Sequence, residues 1–309
     1  MKRVFIVVVL IVAAAVLGLW RSHGGIRRNL GETIGMAKND PDGEARDEIR
    51  KSFDLQPGAR LEIRGINGAV QIETSDTKSA EVYVLRTANS REALNRREVT
   101  IEQTSSGLAV RGRESHNLGF WEHLFGRNPS EQVTIKAPRQ IALSLAGING
   151  RVTSGNVDGS LELRGINGKV ELGQATTSIQ VSGVNGNISI GLKQLADGGA
   201  RFSGVNGNIE LRLAGDLNAD LSTRGMNGNV RSEIPEVNVE KEEHGSRYSA
   251  RIGNGGPTIT VSGLNGNVRL TRLQEPVAAQ PVSADATEKK STTQGQWTES
   301  KTASNRKAQ

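Results

Sequence analysis

No cysteine occurs in the 309-residue chain, which excludes a disulfide framework, a thiolate metal site, an iron–sulfur cluster and a cysteine nucleophile. Aromatic residues are scarce: five Phe, three Trp and two Tyr. A core of large rings is therefore excluded, and Val, Ile and Leu must fill the interior. No segment carries a strong excess of one charge. Ten Lys and Arg oppose seven Asp and Glu over residues 1–60, eleven oppose ten over 61–140, thirteen oppose twelve over 141–274, and five oppose four thereafter. The net charge of +6 is thus spread thinly. Nucleic acid, which demands clustered cations against phosphate, is not an expected partner.

Signatures of chemistry are absent as well. The chain has no G-x-S-x-G nucleophile elbow, no GxxxxGK[ST] phosphate loop and no H-E-x-x-H metal motif. His116, Glu122 and His123 match no zinc spacing. His244 sits in the charged stretch VEKEEHGSRY, which reads as a solvated loop rather than a general base. A calcium-binding repeat needs an acidic residue at a fixed place in each turn, and that place holds Asn with Gly here. The expectation is a protein without catalytic activity, cofactor or metal ion.

What is present begins with a membrane signal. Met1-Lys2-Arg3 precedes an uncharged apolar run from Val4 to Trp20, which stops at Arg21. As a helix the run spans about 25 Å, the lower limit for crossing a bilayer, and it is longer than the usual core of a secretory signal. Residues 1–23 therefore form a transmembrane helix retained as a signal anchor, or a cleaved signal peptide. The alanines at 13, 14 and 15 lie inside the run and make a poor cleavage site. With so short a leading tail, the expected location is the inner or cytoplasmic membrane, single-pass, with the bulk of the chain in the periplasm or at the cell surface.

The remainder is organised by a repeat. Gly, an aliphatic residue or Met, Asn and Gly recur as a tetrapeptide starting at Gly65, Gly147, Gly165, Gly183, Gly204, Gly225 and Gly263. From residue 147 the copies start 18, 18, 21, 21 and 38 residues apart, and the last interval reads as two periods with one degenerate copy. Period-two alternation flanks each copy, as in Leu161, Leu163, Val170 and Leu172, so the flanks are strands. Asn67, Asn149, Asn167, Asn185, Asn206, Asn227 and Asn265 are read as turn residues, the Asn-Gly step supplying positive φ, and the aliphatic position before each Asn points inward. Two all-β architectures satisfy this pattern. One is a parallel β-solenoid with rungs of about 18–21 residues, in which the Asn side chains stack into a hydrogen-bonded ladder. The other is an array of antiparallel hairpins closed by Asn-Gly.

These repeated GING, GVNG and GLNG steps, with the membrane-directed start and the segment FDLQPGARLEIRGINGAVQIET, resemble the bacterial putative adhesins with β-strand repeats, a domain family of unknown function. The resemblance covers about residues 49–274. It implies a β-helix-like fold at the cell envelope, with roles in adhesion or envelope stress, and it carries over no catalytic residue. The 82 residues between the first two copies depart from a regular repeat.

The implied organisation is an anchor or signal (1–23), a linker (24–48), an irregular β part capping one end of the stack (49–146), the regular repeats (147–274) and a disordered tail (275–309) poor in core-forming residues. Strands are expected around Val82, Val99, Val110 and Ile135, with a short helix over Asn89–Arg97. Phe120, Trp121 and Phe125 cluster in one loop, either as a plug over the core or as a contact for a partner. The expected function is a membrane-anchored scaffold for adhesion to an envelope protein or polysaccharide. The alternative is a carbohydrate-binding or carbohydrate-active β-helix protein.

Overall fold

The computed structural model describes residues 33–34, 45–114, 129–242 and 246–274. The expected anchor, most of the linker and the tail lie outside those residues, and among the described residues no helix is long and apolar enough to cross a membrane. The chain is all-β. It enters through β1 (Thr33–Ile34) and β2 (Ala45–Asp54) and lays down a first rung, β3 (Arg60–Arg64) with β4 (Val70–Ser75). It then forms β5 (Ser79–Ala88), the short helix α1 (Arg91–Leu94), β6 (Arg97–Thr104), and a rung without the tetrapeptide, β7 (Gly107–Glu114) with β8 (Ser130–Pro138).

Four regular rungs follow: β9 (Ala142–Asn149) with β10 (Val152–Ser154), β11 (Leu161–Asn167) with β12 (Val170–Ala175), β13 (Ile179–Asn185) with β14 (Ile188–Leu192), and β15 (Ala200–Asn206) with β16 (Ile209–Leu213). A fifth, β17 (Ala219–Asn227) with β18 (Val230–Ser232), leads through β19 (Val239–Lys241) and β20 (Tyr248–Ile252) to the last, β21 (Thr258–Asn265) with β22 (Val268–Arg272).

Each rung gives one strand to each of two mixed sheets. Sheet A runs β1-β2-β5-β8-β4-β10-β12-β14-β16-β22-β18, and sheet B runs β19-β20-β17-β21-β15-β13-β11-β9-β3-β7-β6. The strands on either side of an Asn-Gly step therefore belong to different sheets, so the step turns a corner and does not close an antiparallel hairpin. Within each sheet the rungs pair parallel and residue for residue: Leu163 faces Leu145 and Val181, and Asn167 faces Asn149 and Asn185. Antiparallel pairing is confined to the ends, at β1–β2–β5–β8, β6–β7 and β17–β20–β19.

Alternation explains the interior. In one rung Leu161, Leu163, Ile166, Val170 and Leu172 are all buried, and the tetrapeptide's second residue is buried in every copy. Burying one such side chain contributes about 1.5–3 kcal/mol, but a rung alone has nothing to bury it against; stacking supplies the other wall. The second glycine of the tetrapeptide makes the stack possible. A Cβ at Gly186 would fall on the carbonyl oxygen of Gly168, whereas one at Gly183 would find no backbone closer than 3.7 Å.

The order of the rungs corrects the reading of the 38-residue interval. That stretch holds no degenerate copy in line. Instead β21 pairs with both β15 and β17, so the copy at Gly263 sits between those at Gly204 and Gly225. At the other end β3 lies between β7 and β9, and the copies at 65 and 147 are neighbours despite their distance in sequence.

Candidate binding surfaces

The corner of the stack carries a continuous file of asparagines. Asn149 donates its amide Nδ2 to Oδ1 of Asn67 at 3.1 Å, Asn167 to Asn149 at 3.1 Å, Asn185 to Asn167 at 3.2 Å, and Asn206 to Asn185 at 3.1 Å. Asn265 then donates to Asn206, and Asn227 to Asn265, both at 3.1 Å. All seven residues read from the sequence as turn positions are thus brought onto one line, Asn67 half-buried and the other six exposed. A second file was not anticipated: Asn187, Asn208, Asn267 and Asn229 follow the tetrapeptide in four copies. The oxygens of Asn187, Asn208 and Asn267 accept the next backbone N–H at 2.9–3.0 Å, and that of Asn229 accepts the Tyr248 hydroxyl at 3.2 Å. Its signal was legible as an Asn two places after the motif Asn.

Both ends of the stack are closed. The rung formed by β7 and β8 has no Asn-Gly, and the backbone N–H of Asn67 has no rung carbonyl to meet. Glu131, fully buried, accepts that N–H through Oε2 at 3.0 Å and takes Nε of Arg97 on Oε1 at 2.9 Å. Arg97 also donates to the Gly65 carbonyl, and the Asn67 amide donates to Pro129 O at 2.9 Å. At the opposite end Thr223 stands in the inward column of Val181, Phe202 and Val261. Its hydroxyl accepts the Tyr248 N–H at 2.8 Å, and the Tyr248 hydroxyl donates to Gly228 O at 3.2 Å. These buried polar groups close sheet edges; nothing in their geometry addresses a substrate.

Two outward faces remain. On sheet A a groove of about 440 Å³ runs across four rungs, lined by Lys169, Glu171, Asn187, Ser189, Asn208, Glu210, Asn267 and Arg269. Its charges are matched from within or from its rim: Lys169 meets Glu171 at 2.5 Å, Ser189 donates to Glu210 at 2.8 Å, and Arg269 meets Glu233 at 3.3 Å. Sheet B differs. Ser182, Ser203 and Ser262 lie side by side in consecutive rungs, flanked in the same column by Arg164 and Arg224. Arg201 stands in the next column, between Gln180 and Thr260. Arg164, Arg201 and Arg224 are exposed. Arg164 is paired with Glu162, and Arg201 and Arg224 have no ion-pair partner among the described residues.

At about 4.8 Å per rung, these three guanidinium groups recur at every second rung, about 10 Å apart along the stack. Ser203 and Ser262 donate to the carbonyls of Val181 and Phe202 at 3.3 and 3.4 Å, which ties their hydroxyls to a flat floor. Elsewhere the titrating groups are local: a hydrogen bond with Tyr83 and the nearby Glu48 hold the exposed Arg46 guanidinium above its ordinary value. Phe120, Trp121 and Phe125, with His116, Glu122, His123 and His244, lie outside the described residues. The chain between Glu114 and Pro129 joins β7 to β8 where other rungs have the tetrapeptide. Among the described residues no cluster of three metal-ligating side chains occurs.

No protein-family model and no curated protein matches the chain. Solved structures do. A putative cell adhesion protein from Clostridium sporogenes aligns over 74% of this chain and 100% of its own, at 13% identity and a TM-score of 0.37. A putative adhesin from Bacteroides fragilis covers 72% and 97% at 8% identity and 0.28, and one from Parabacteroides merdae 74% and 96% at 10% and 0.28. The description of these neighbours as putative adhesins or a cell adhesion protein is the same as that of the bacterial proteins the repeated tetrapeptides resemble.

Proposed function

We propose that the chain is a non-catalytic, membrane-anchored protein of the cell envelope, and that its stack, a parallel β-solenoid, binds an extended anionic polysaccharide on sheet B. The observation that carries this reading is the placement of Arg164, Arg201 and Arg224 at alternate rungs over the serine floor, with Arg201 and Arg224 unmatched by a carboxylate among the described residues. A linear polymer bearing carboxylate or phosphate at regular intervals matches a linear array of guanidinium groups, which take planar oxyanions in two-pronged hydrogen bonds. The groove on sheet A supports the choice by contrast, since the charged groups that line it are already partnered. The apolar run from Val4 to Trp20 supports the anchor.

The test is binding of the full-length chain, in detergent, to polygalacturonate, poly(glycerol phosphate) and neutral dextran. Arg201→Glu with Arg224→Glu is expected to abolish binding to the two anionic chains, and binding by the parent protein is expected to fall steeply with salt. Equal retention of dextran, or an undiminished double variant, would overturn the reading. Tryptic shaving of intact cells tests the orientation, with cleavage within residues 147–274 expected.

A further inference from the structure

The seven Asn-Gly steps of the file are identical in sequence and unequal in what holds them. Asn-Gly is the dipeptide in which the glycine nitrogen most readily reaches the preceding side-chain amide, because glycine has no Cβ in the way. Reaction requires the side chain to leave its hydrogen bonds and the glycine N–H to be released. Asn167, Asn185, Asn206 and Asn265 each donate Nδ2 to one neighbour and accept on Oδ1 from the other. In each of these four steps the following N–H, of Gly168, Gly186, Gly207 or Gly266, is bonded to the next rung's carbonyl at 2.9–3.0 Å. Three bonds hold each of these residues.

Asn67 and Asn149 keep both side-chain bonds, while Gly68 and Gly150 have no N–H acceptor among the described residues. Asn227 is held least. It donates to Asn265 at 3.1 Å, but no rung lies beyond it in the file, its Oδ1 accepts nothing among the described residues, and neither does any described group accept the Gly228 N–H.

We infer that Asn227 is a site of spontaneous backbone modification, the step of the file at which deamidation proceeds fastest in the folded protein. The Gly228 nitrogen attacks Cγ of Asn227, a C–N bond forms, and the amide nitrogen departs as ammonia, leaving a succinimide. Water then opens the ring at either carbonyl and yields Asp or isoaspartate. No oxidant or cofactor is required. The product places a carboxylate at residue 227 in place of the amide that donates to Asn265. In the isoaspartate form the backbone gains a methylene at the corner where Gly228 must pass within contact of the Gly266 carbonyl. The modification thus acts on the outermost tetrapeptide rung, beside the Arg224 of sheet B.

The experiment is incubation of the full-length chain at 37 °C and pH 8.5, followed by peptide mapping with isoaspartate detection at all seven steps. Their shared sequence makes them internal controls. Two additional hydrogen bonds at their usual net strength correspond to about a thirtyfold slower reaction, so the expected order is Asn227 fastest, Asn67 and Asn149 intermediate, and the other four slowest. In urea-unfolded chain all seven rates are expected to converge. A second variant separates the ladder from simple fraying of the end rung. Asn149→Ser removes the acceptor for the Asn167 amide and should raise the Asn167 rate severalfold, with Asn206 unchanged. Faster reaction at an interior step of the parent protein, or an unaltered Asn167 in the variant, would overturn the inference.

Discussion

The two ends of the stack solve one problem with different chemistry. Both must close a rung that has no neighbour, and in both the chain terminus of the repeat region lies one rung inside the edge. At the β6–β7–β8 end the closing groups are ionic: Glu131 and Arg97 are buried against each other and against the Asn67 N–H and the Gly65 carbonyl. Arg86 adds a bond to Asp47 at 2.8 Å and bonds to the carbonyls of Leu94 and Arg97. At the β17–β20 end the closing groups are neutral, a threonine and a tyrosine. The difference teaches that a parallel stack requires satisfied backbone groups at its edges and is indifferent to how they are satisfied.

The comparison is broken most strongly at the ionic end. Glu131→Ala leaves Nε of the buried Arg97 and the Asn67 N–H without their acceptor, and a loss of about 3–5 kcal/mol is expected in urea denaturation of the full-length chain. Tyr248→Phe removes only the hydroxyl contacts to Gly228 O and Asn229 Oδ1, and should cost about 1–2 kcal/mol. Hydrogen exchange would localise that loss to the β17–β20 end. Thr223→Val restores an aliphatic residue to the column of Val181, Phe202 and Val261 but unpartners the Tyr248 N–H. A net loss of about 1 kcal/mol is expected, and a gain in denaturation midpoint would show that packing outweighs closure there.

The smallest effect concerns α1. The backbone N–H of Glu92, then the Ser90 hydroxyl, lower the Glu92 carboxyl below its ordinary value of 4.5. A depressed carboxylate stabilises the fold above its unfolded value and loses that contribution as pH falls through the folded value. Glu92→Gln should therefore lie slightly below the parent in stability at neutral pH and coincide with it in acid, as read by denaturation midpoints from pH 7 to 3.

Much of this was legible before any coordinates. Alternation marked which side chains are buried, the recurrence of Gly-aliphatic-Asn-Gly marked the turns, and the amide file followed from one of the two readings of those turns, as stacked corners and not as hairpin closures. The rung order was hidden because every tetrapeptide fits against every other: nothing local tells Gly263 to sit beside Gly204 rather than beyond Gly225. That choice is made by the segments that do not repeat, β5–β8 at one end and β19–β20 at the other. The same blindness hid the sheet B array. In chain order Arg224 would lie one rung past Arg201, and only the insertion of β21 spaces Arg164, Arg201 and Arg224 evenly. Glu131 was unremarkable in sequence, because a buried acid is recognised by the N–H it meets.

The asparagine file has one more consequence. Every side-chain amide in it donates in the same sense, from the Asn227 end toward Pro129, so seven amide dipoles align head to tail as peptide units do along a helix. The file thus has a positive pole, covered by the Pro129 carbonyl, and a negative pole at the Oδ1 of Asn227. A stack assembled from near-identical rungs is in this way electrically directional, with a sense set by the rotamer of its first asparagine and copied rung by rung.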